Sequence, residues 1–156
     1  MNVKKTYTVD EARAKLEYYC AYQDRCHKEV RAKLKDMGMI PAATEQIITH
    51  LIQHNFLNEE RFARSFARGK FNIKNWGKLR IIRELKFREI SRFNIDAALK
   101  EIDEEVYLEK LHSLAEWRLG QIDERNPFKR KKKLADYLLY RGWEPHLVYE
   151  LVQDLT

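Results

Sequence analysis

Two pairs of residues in this sequence have side chains that could do chemistry. His50 and His54 lie four apart on a predicted helix, a spacing at which two imidazoles can bind one metal ion, and Cys26 or His27 is a conceivable third ligand. No CxxC motif and no acidic partner accompanies the two histidines in the sequence. We therefore interpret them as surface histidines and expect neither a metal ion nor another cofactor.

The cysteines give no sign of reactivity. Cys20 and Cys26 are six residues apart, Cys20 falls on the apolar face of a predicted helix, and no local signature of a nucleophile or redox pair surrounds them. Two cysteines so close together are typical of a reducing compartment. Gly69 and Gly77 are isolated, so the sequence has no phosphate-binding loop. Nothing in it indicates an enzyme.

Positive charge is the strongest chemical signal. Between Arg61 and Arg92 there are eleven lysines and arginines but only two acids, whereas eight acids face two basic residues between Glu101 and Glu124. Six more basic residues, without an acid, lie at 125–133. Such concentration predicts a surface for an anionic partner, and a solvated face is the structural alternative. The predicted contact residues are Arg61, Arg64, Arg68, Lys70, Lys74, Lys78, Arg80, Arg83, Phe87, Lys129, Arg130, Lys131, Lys132 and Lys133.

Phe87 stands out because it is aromatic and lies among arginines. On a helical wheel it shares one side of a predicted helix with Arg80 and Arg83, opposite the apolar residues. An aromatic ring in that setting suits a protein hot spot or stacking on a nucleic-acid base. Packing beneath a neighbouring unit is the structural alternative. The residues predicted to be buried on this helix are Leu79, Ile81, Ile82 and Leu85.

The elements that must position these residues are helices. Five glycines and three prolines leave little turn chemistry for a β fold, and 44% hydrophobic residues exclude wholesale disorder. No apolar run is long enough to cross a membrane, and the first seven residues lack the apolar core of a signal peptide. We expect a cytoplasmic, all-α protein.

Helix signals follow one another along the first third of the chain. Thr8 and Glu11 form a capping box that begins a helix to about Tyr22, and Asp24 is predicted to cap a second helix that ends at Gly38. A third helix is predicted over roughly 42–54. The residues predicted to face inward on these helices include Leu16, Tyr19, Val30, Leu34, Ile47, Ile48, Leu51 and Ile52.

The same signals continue to the end of the sequence. Asn58 is a predicted N-cap, a further helix begins near Trp76, and another runs from about 104 to 122. Asn126 followed by proline is a helix start, and Gly142 ends that helix before a last one.

The apolar pattern repeats with a period of about fifty residues. A shift of 51 residues places Leu34 on Leu85, and a further shift of 53 places Leu85 on Leu138. This indicates three tandem units of three helices each, at 1–55, 56–103 and 104–156. Because a unit of about fifty residues buries little surface alone, we expect neighbouring units to stack and share apolar faces.

Several motifs spread over these units carry a family resemblance. They are Phe56-Leu57-Asn58-Glu59-Glu60-Arg61-Phe62-Ala63, Trp76-Gly77, Arg80-Ile81, Glu84-Leu85-Lys86 and Leu138-Leu139-Tyr140-Arg141-Gly142-Trp143. The pattern resembles the bacterial RecX family, regulatory proteins that modulate the RecA recombinase. A first-unit segment from Asp24 to Leu34 resembles the family's first repeat, with Cys26 where serine is usual.

The resemblance implies a function as well as a fold. It implies an elongated, curved array of three-helix repeats that binds the RecA–DNA filament, restrains its ATPase and strand exchange, and so regulates homologous recombination and the SOS response. It implies no catalytic residues. We expect a monomer that also meets single- or double-stranded DNA without sequence preference. One departure is Glu89, where the family has glycine, so that either the turn is rebuilt or the helix runs on.

Two other functions remain open. A stand-alone helix-turn-helix-like DNA-binding protein would place the helix from Trp76 to Arg88 in a major groove. The N-terminal end of that helix offers Trp76, Gly77 and Leu79, which read no base edge. A passive helical scaffold would leave the filament ATPase unchanged.

Overall fold

The computed structural model describes residues 5–156, and every regular element in that range is helical, as the all-α prediction requires. Residues 1–4, part of the segment in which we expected no signal peptide, lie outside the described range. Within it, no helix is both long and apolar enough to span a bilayer. The helices of the described range are α1 (Val9–Tyr22), α2 (His27–Asp36), α3 (Pro41–Gln53), α4 (Glu59–Asn72), α5 (Lys78–Phe87), α6 (Arg92–Lys100), α7 (Glu104–Gln121), α8 (Pro127–Tyr140) and α9 (Pro145–Leu155).

These helices form three tandem three-helix units, stacked into an elongated, curved array. Unit 1 contains α1–α3, unit 2 contains α4–α6 and unit 3 contains α7–α9. The predicted register is confirmed at its central leucines, since Leu34, Leu85 and Leu138 all have no exposed surface. The boundaries of the units at 55/56 and 103/104 stay a prediction.

The middle helix of each unit ends in the same turn. Gly38, Glu89 and Gly142 occupy equivalent positions and have left-handed φ angles of 79°, 60° and 92°. In unit 2, the Ile90 N–H donates to the Leu85 carbonyl at 3.1 Å, as the residues after the two glycines do in units 1 and 3. Neither alternative for Glu89 is therefore correct. The turn keeps its form, and Glu89 adopts a conformation that costs a non-glycine residue about 1 kcal/mol.

Three predicted helix starts are confirmed and one is wrong. The Thr8 capping box is formed, and the side chains of Asn58 and Asn126 accept hydrogen bonds from backbone N–H groups of their first helical turns. Asp24 does not cap α2, whose N-cap is Cys26. The Asp24 carboxylate instead accepts a hydrogen bond from the side chain of Arg61 in unit 2.

Two residues predicted to be buried are exposed. The inward stripe of α5 contains Ile81 and Leu85, and Leu79, in the first turn, points to solvent. On α3 the buried stripe ends at Leu51, and Ile52 lies about 100° further round the helix, in solvent.

The apolar residues form two cores rather than three. One core belongs to unit 1 and extends from Ala12 to Leu57. The other joins units 2 and 3 from Phe62 to Val152 and includes Cys26 from unit 1. Apolar faces are thus extensively shared between units 2 and 3. Between units 1 and 2 the sharing is limited to Cys26, which joins the core of units 2 and 3, and to Phe56 and Leu57 before α4, which join that of unit 1.

Candidate partner-binding surfaces

The start of α5 is fixed by the turn between α8 and α9. The Gly77 N–H donates to the Arg141 carbonyl at 2.9 Å, and the Leu79 N–H donates to the Gly142 carbonyl at 3.0 Å. A Cβ on Gly77 would lie 2.5 Å from the Gly142 carbonyl oxygen, and one on Gly142 would clash with Arg80. Two glycines facing each other let the backbones of units 2 and 3 touch.

An aromatic cluster continues this joint inward. The rings of Tyr107 and Trp143 have centroids 4.5 Å apart, and Phe71 lies 5.9 Å from Tyr107. The Tyr107 hydroxyl donates to the Glu144 carboxylate and accepts from the Lys78 N–H at 2.9 Å. Burial, with the hydrogen bond to Glu144, raises the pKa of Tyr107 well above its ordinary value, so this hydroxyl stays protonated.

Cations and aromatic rings alternate along the edge of unit 2. Lys70 Nζ lies 5.4 Å from the Phe66 ring centroid and 5.0 Å from that of Trp76. The Arg80 guanidinium carbon lies 4.3 Å from Trp76 and 5.0 Å from Tyr140 of unit 3. Both cations therefore stack on rings as well as charging the surface, and Arg80 also supports the joint with unit 3.

Several of the predicted contact residues are paired with the acidic block of the chain. Arg64 pairs with Glu60 and Glu101, and the hydrogen bond to Glu101 raises the pKa of Arg64 further. Lys78 Nζ lies 3.1 Å from Glu104, and Lys133 Nζ lies 3.3 Å from Glu124. Lys132 pairs with Asp136 one turn along its own helix. The charge segregation seen in the sequence is thus partly neutralised by ion pairs, of which Lys78–Glu104 connects units 2 and 3.

Arg61 holds units 1 and 2 together. Its Nε donates to Asp24 at 2.6 Å, and its other nitrogens donate to the side chain and carbonyl of Asn55 and to the Phe56 carbonyl. Nearby, His27 Nδ1 lies 3.3 Å from Glu59. The Arg61 guanidinium is therefore occupied by internal partners.

Phe87 lies at the same joint but remains 67% exposed, so the alternative in which it packs beneath the neighbouring unit is wrong. The Lys28 ammonium of unit 1 lies 4.1 Å above its ring and donates to the Phe87 carbonyl at 2.7 Å. One face of the ring is thus covered by a cation, and the rest is open to a partner.

The remaining predicted contact residues lie in separate places. Arg68 lines a cleft of about 440 Å³ between α4, α6 and α7, and Arg83 lies on the outer face of α5. Lys74 lies beyond α4, and Arg130 Nη2 donates to the Leu119 carbonyl at 3.3 Å. Within residues 5–156, six of the predicted cations have no ion pair or side-chain hydrogen bond. They are Arg68, Lys70, Lys74, Arg83, Lys129 and Lys131.

The histidines have an acidic neighbour that sequence analysis missed. His50 Nε2 lies 3.5 Å from a Glu17 carboxylate oxygen, and the His50 and His54 rings are 4.3 Å apart. Among the described residues no group of three side chains is placed to hold a metal ion. Cys20 and Cys26 are free thiols, and burial raises the pKa of each to about 11.

Tyr140 and Lys28 were not assigned a role from sequence. A signal for Tyr140 was present, because the shift of 53 residues that aligns units 2 and 3 places Phe87 on Tyr140. Lys28 had no comparable signal, since its contact joins segments 59 residues apart.

Known proteins share the repeats and the fold of this chain. Residues 58–99 match the model of the RecX second three-helix domain, and residues 105–152 match that of the third. The regulatory protein RecX of Serratia proteamaculans (strain 568) is 32% identical over 125 residues, which cover 80% of this chain and 73% of the relative. The chain belongs to the RecX family.

Two further RecX proteins share less sequence identity with this chain. The regulatory protein RecX of Clostridioides difficile (strain 630) is 25% identical over 86% of this chain, which spans 63% of the relative's length. The crystal structure of RecX from Lactobacillus salivarius is 24% identical, covers 94% of this chain and 96% of its own, and superposes with a TM-score of 0.80. The array of three-helix units described above is therefore a RecX fold.

Proposed function

We propose that this chain is a cytoplasmic, monomeric, non-catalytic regulator of homologous recombination and the SOS response. It binds the RecA–DNA filament and restrains its ATPase and strand exchange. The observation that carries the proposal is the match of units 2 and 3, in that order, to the RecX second and third three-helix domains.

The outer face of α5 supplies a protein-binding surface for this role. Arg83 is exposed, without an internal partner among the described residues, and Phe87 lies one turn further along with most of its ring open. A guanidinium binds a carboxylate through two parallel hydrogen bonds, and an exposed aromatic ring adds apolar contact that salt does not screen. Together they suit an acidic groove on a protein.

Geometry disfavours the helix-turn-helix alternative. A recognition helix reads bases with the residues at its N-terminal end. Here the start of α5 is covered by unit 3, through backbone hydrogen bonds from Gly77 and Leu79. That end is therefore closed to a major groove.

The decisive assay is RecA ATPase on single-stranded DNA, with and without this protein. We expect the wild-type chain to reduce turnover. Arg83→Lys combined with Phe87→Ala keeps the charge but removes the fork and the ring, so the half-inhibitory concentration should rise more than tenfold, about 1.4 kcal/mol. Binding to naked DNA should change less than about threefold.

Arg92→Lys combined with Phe93→Ala is the matched control, since both residues are exposed on α6. It should leave ATPase inhibition unchanged. Equal losses in the ATPase and DNA assays would favour plain DNA binding. If the wild-type chain does not alter the ATPase rate, the passive helical scaffold is the function that remains.

Non-specific DNA contact is assigned in this proposal to the start of α8. Lys129 and Lys131 have no acid partner among the described residues, whereas Lys132 and Lys133 are paired. Log affinity falls as log salt rises, and Lys129→Gln with Lys131→Gln should make that slope shallower by up to about two. Lys132→Gln with Lys133→Gln should change the slope less, and identical slopes for the two variants would contradict this assignment.

A further inference from the structure

Unit 1 carries a groove that none of the predicted contact residues lines. It has a volume of about 530 Å³ and lies between α1 and α2. Its lining contains three tyrosines, three cations and no acid. The tyrosines are Tyr18, Tyr19 and Tyr22, and the cations are Lys15, Arg25 and Lys33.

Two of the tyrosines present their rings to solvent. Tyr18 and Tyr22 are four residues apart on α1, so they lie on one face of the helix, and each is 74% exposed. Single exposed aromatic residues are common on protein surfaces, but two adjacent rings lining one groove are not explained by chance exposure. These rings contribute little to the core of unit 1.

The cations are interleaved with the rings. The Arg25 guanidinium lies 3.7 Å from the Tyr19 ring centroid and is held there by a 3.0 Å hydrogen bond from its Nε to the Tyr19 carbonyl. Lys33 Nζ lies 5.7 Å from the same ring. Neither Lys15 nor Lys33 forms an ion pair with any residue in the range 5–156. Their charge is available to an anion.

The basic, aromatic surface continues beyond the groove. A smaller hollow of about 180 Å³ shares Lys15 and Lys33 with it and adds Lys5 and Tyr7, with Asp36 as the acid in its lining. Lys15 Nζ lies 5.3 Å from the Tyr7 ring centroid. The two hollows form a strip along unit 1 in which rings and cations alternate.

We propose that this strip binds single-stranded nucleic acid. Bases stack on Tyr18 and Tyr22, and the backbone phosphates contact Lys15, Arg25 and Lys33. Alternation of flat apolar groups with anions is the chemical pattern of an unpaired strand, and open aromatic faces beside cations match it. An acidic peptide would satisfy the cations but leave the two ring faces unused. The proposal does not depend on RecA contact, because it concerns a surface of unit 1 alone.

The test uses the full chain and a fluorescently labelled oligothymidylate, followed by anisotropy in the absence of RecA. Tyr18→Ala with Tyr22→Ala should weaken binding at least tenfold, since both surfaces on which bases stack are lost. Tyr18→Phe with Tyr22→Phe keeps the rings and should stay within about twofold of wild type. Phe93→Ala removes a ring of similar exposure, 76%, from unit 2 and should have no effect.

Two further measurements locate the contact. The variants are repeated in a background carrying Lys129→Gln and Lys131→Gln, so that binding through α8 cannot conceal the loss. Photocrosslinking of 5-iododeoxyuridine oligonucleotides should label Tyr18 or Tyr22. Wild-type affinity in the double alanine variant, or crosslinks confined to α5 and α8, would overturn the proposal. Lost ATPase regulation with unchanged oligonucleotide binding would assign the groove to a protein partner and overturn it as well.

Discussion

The two joints between units share one contact, in which a cation of one unit meets the ring and the carbonyl of an aromatic residue in the next. At the joint of units 1 and 2, Lys28 covers the ring of Phe87 and donates to its carbonyl at 2.7 Å. At the joint of units 2 and 3, Arg80 contacts the ring of Tyr140 and donates to its carbonyl at 3.4 Å. Phe87 and Tyr140 are equivalent residues, each following the last buried leucine of a middle helix. A cation from the preceding unit thus binds each of these two aromatic residues.

The joints differ in the contacts that surround this cation–aromatic pair. Gly77 and Gly142 allow backbone hydrogen bonds between units 2 and 3. The equivalent residues at the other joint are Cys26 and Glu89, and within residues 5–156 no backbone hydrogen bond connects those segments. Side chains such as Arg61 replace them. Close backbone approach, which needs glycine on both sides, therefore joins two repeats into one body.

Core truncations should show this division most strongly. Leu34→Ala and Leu85→Ala should each cost about 2–5 kcal/mol, because both leucines are fully buried. All three tryptophans lie in units 2 and 3. Leu85→Ala should therefore shift the urea transition of tryptophan fluorescence, whereas Leu34→Ala should shift that of far-UV circular dichroism alone. Coincident shifts in both variants would show that the three units unfold as one.

Breaking the backbone joint comes next. Gly77→Ala places a Cβ against the Gly142 carbonyl and should lower the free energy of unfolding by about 1–3 kcal/mol. Gly69→Ala, in the last turn of α4 with nothing within 4 Å, is the control and should stabilise by up to about 1 kcal/mol. Urea denaturation followed by tryptophan fluorescence measures both, and equal effects would mean that Gly77 is not needed for close approach.

The joint of units 1 and 2 can be measured through its thiols. Cys26 belongs to the core of units 2 and 3, whereas Cys20 belongs to that of unit 1. Arg61→Ala should cost only about 1 kcal/mol, since its pair with Asp24 is partly exposed, and should accelerate alkylation of Cys26 but not of Cys20. Mass spectrometry of timed iodoacetamide reactions distinguishes them, and parallel acceleration would exclude local opening at this joint.

The thiols also predict a pH dependence. Their pKa is about 11 when folded, against an ordinary value of 9.0. A raised thiol pKa means that the unfolded chain ionises first, so the free energy of unfolding should fall as pH rises above about 9. Cys20→Ala with Cys26→Ala should flatten that part of the stability profile. An unchanged slope would assign it to other groups.

The smallest effect concerns Glu89. Glu89→Gly should stabilise the protein by about 0.5–1 kcal/mol, because glycine adopts φ = 60° without the steric cost of a side chain. Glu89→Ala removes the charge but keeps the Cβ and should not stabilise. Thermal unfolding compares them, and equal midpoints would mean that the charge, not the conformation, matters at this position.

Local signals in the sequence predicted the helices and their register, because capping and apolar spacing act within a few residues. The capping box at Thr8 and the burial of Leu85 are confirmed. Contacts between units were not predictable in the same way. Asp24 is a good N-cap residue by type, but its carboxylate meets Arg61, 37 positions away, and that distant pairing decides its role.

The candidate surface was predicted only as a set of charges. Sequence alone could not show that Arg61, Arg64 and Lys78 have internal partners, since each of them meets an acid 26 to 37 residues away. The exposure of Phe87 likewise depends on how unit 1 sits beside α5.

The arrangement of the two cores has a consequence for synthesis on the ribosome. The core of unit 1 closes with Leu57, so this unit can fold as soon as that segment has emerged. The core of unit 2 includes Trp143 and Val152, so it stays incomplete until the end of unit 3 is available. We expect unit 1 to fold early, whereas the apolar residues of unit 2 should stay exposed until those of unit 3 have been synthesised.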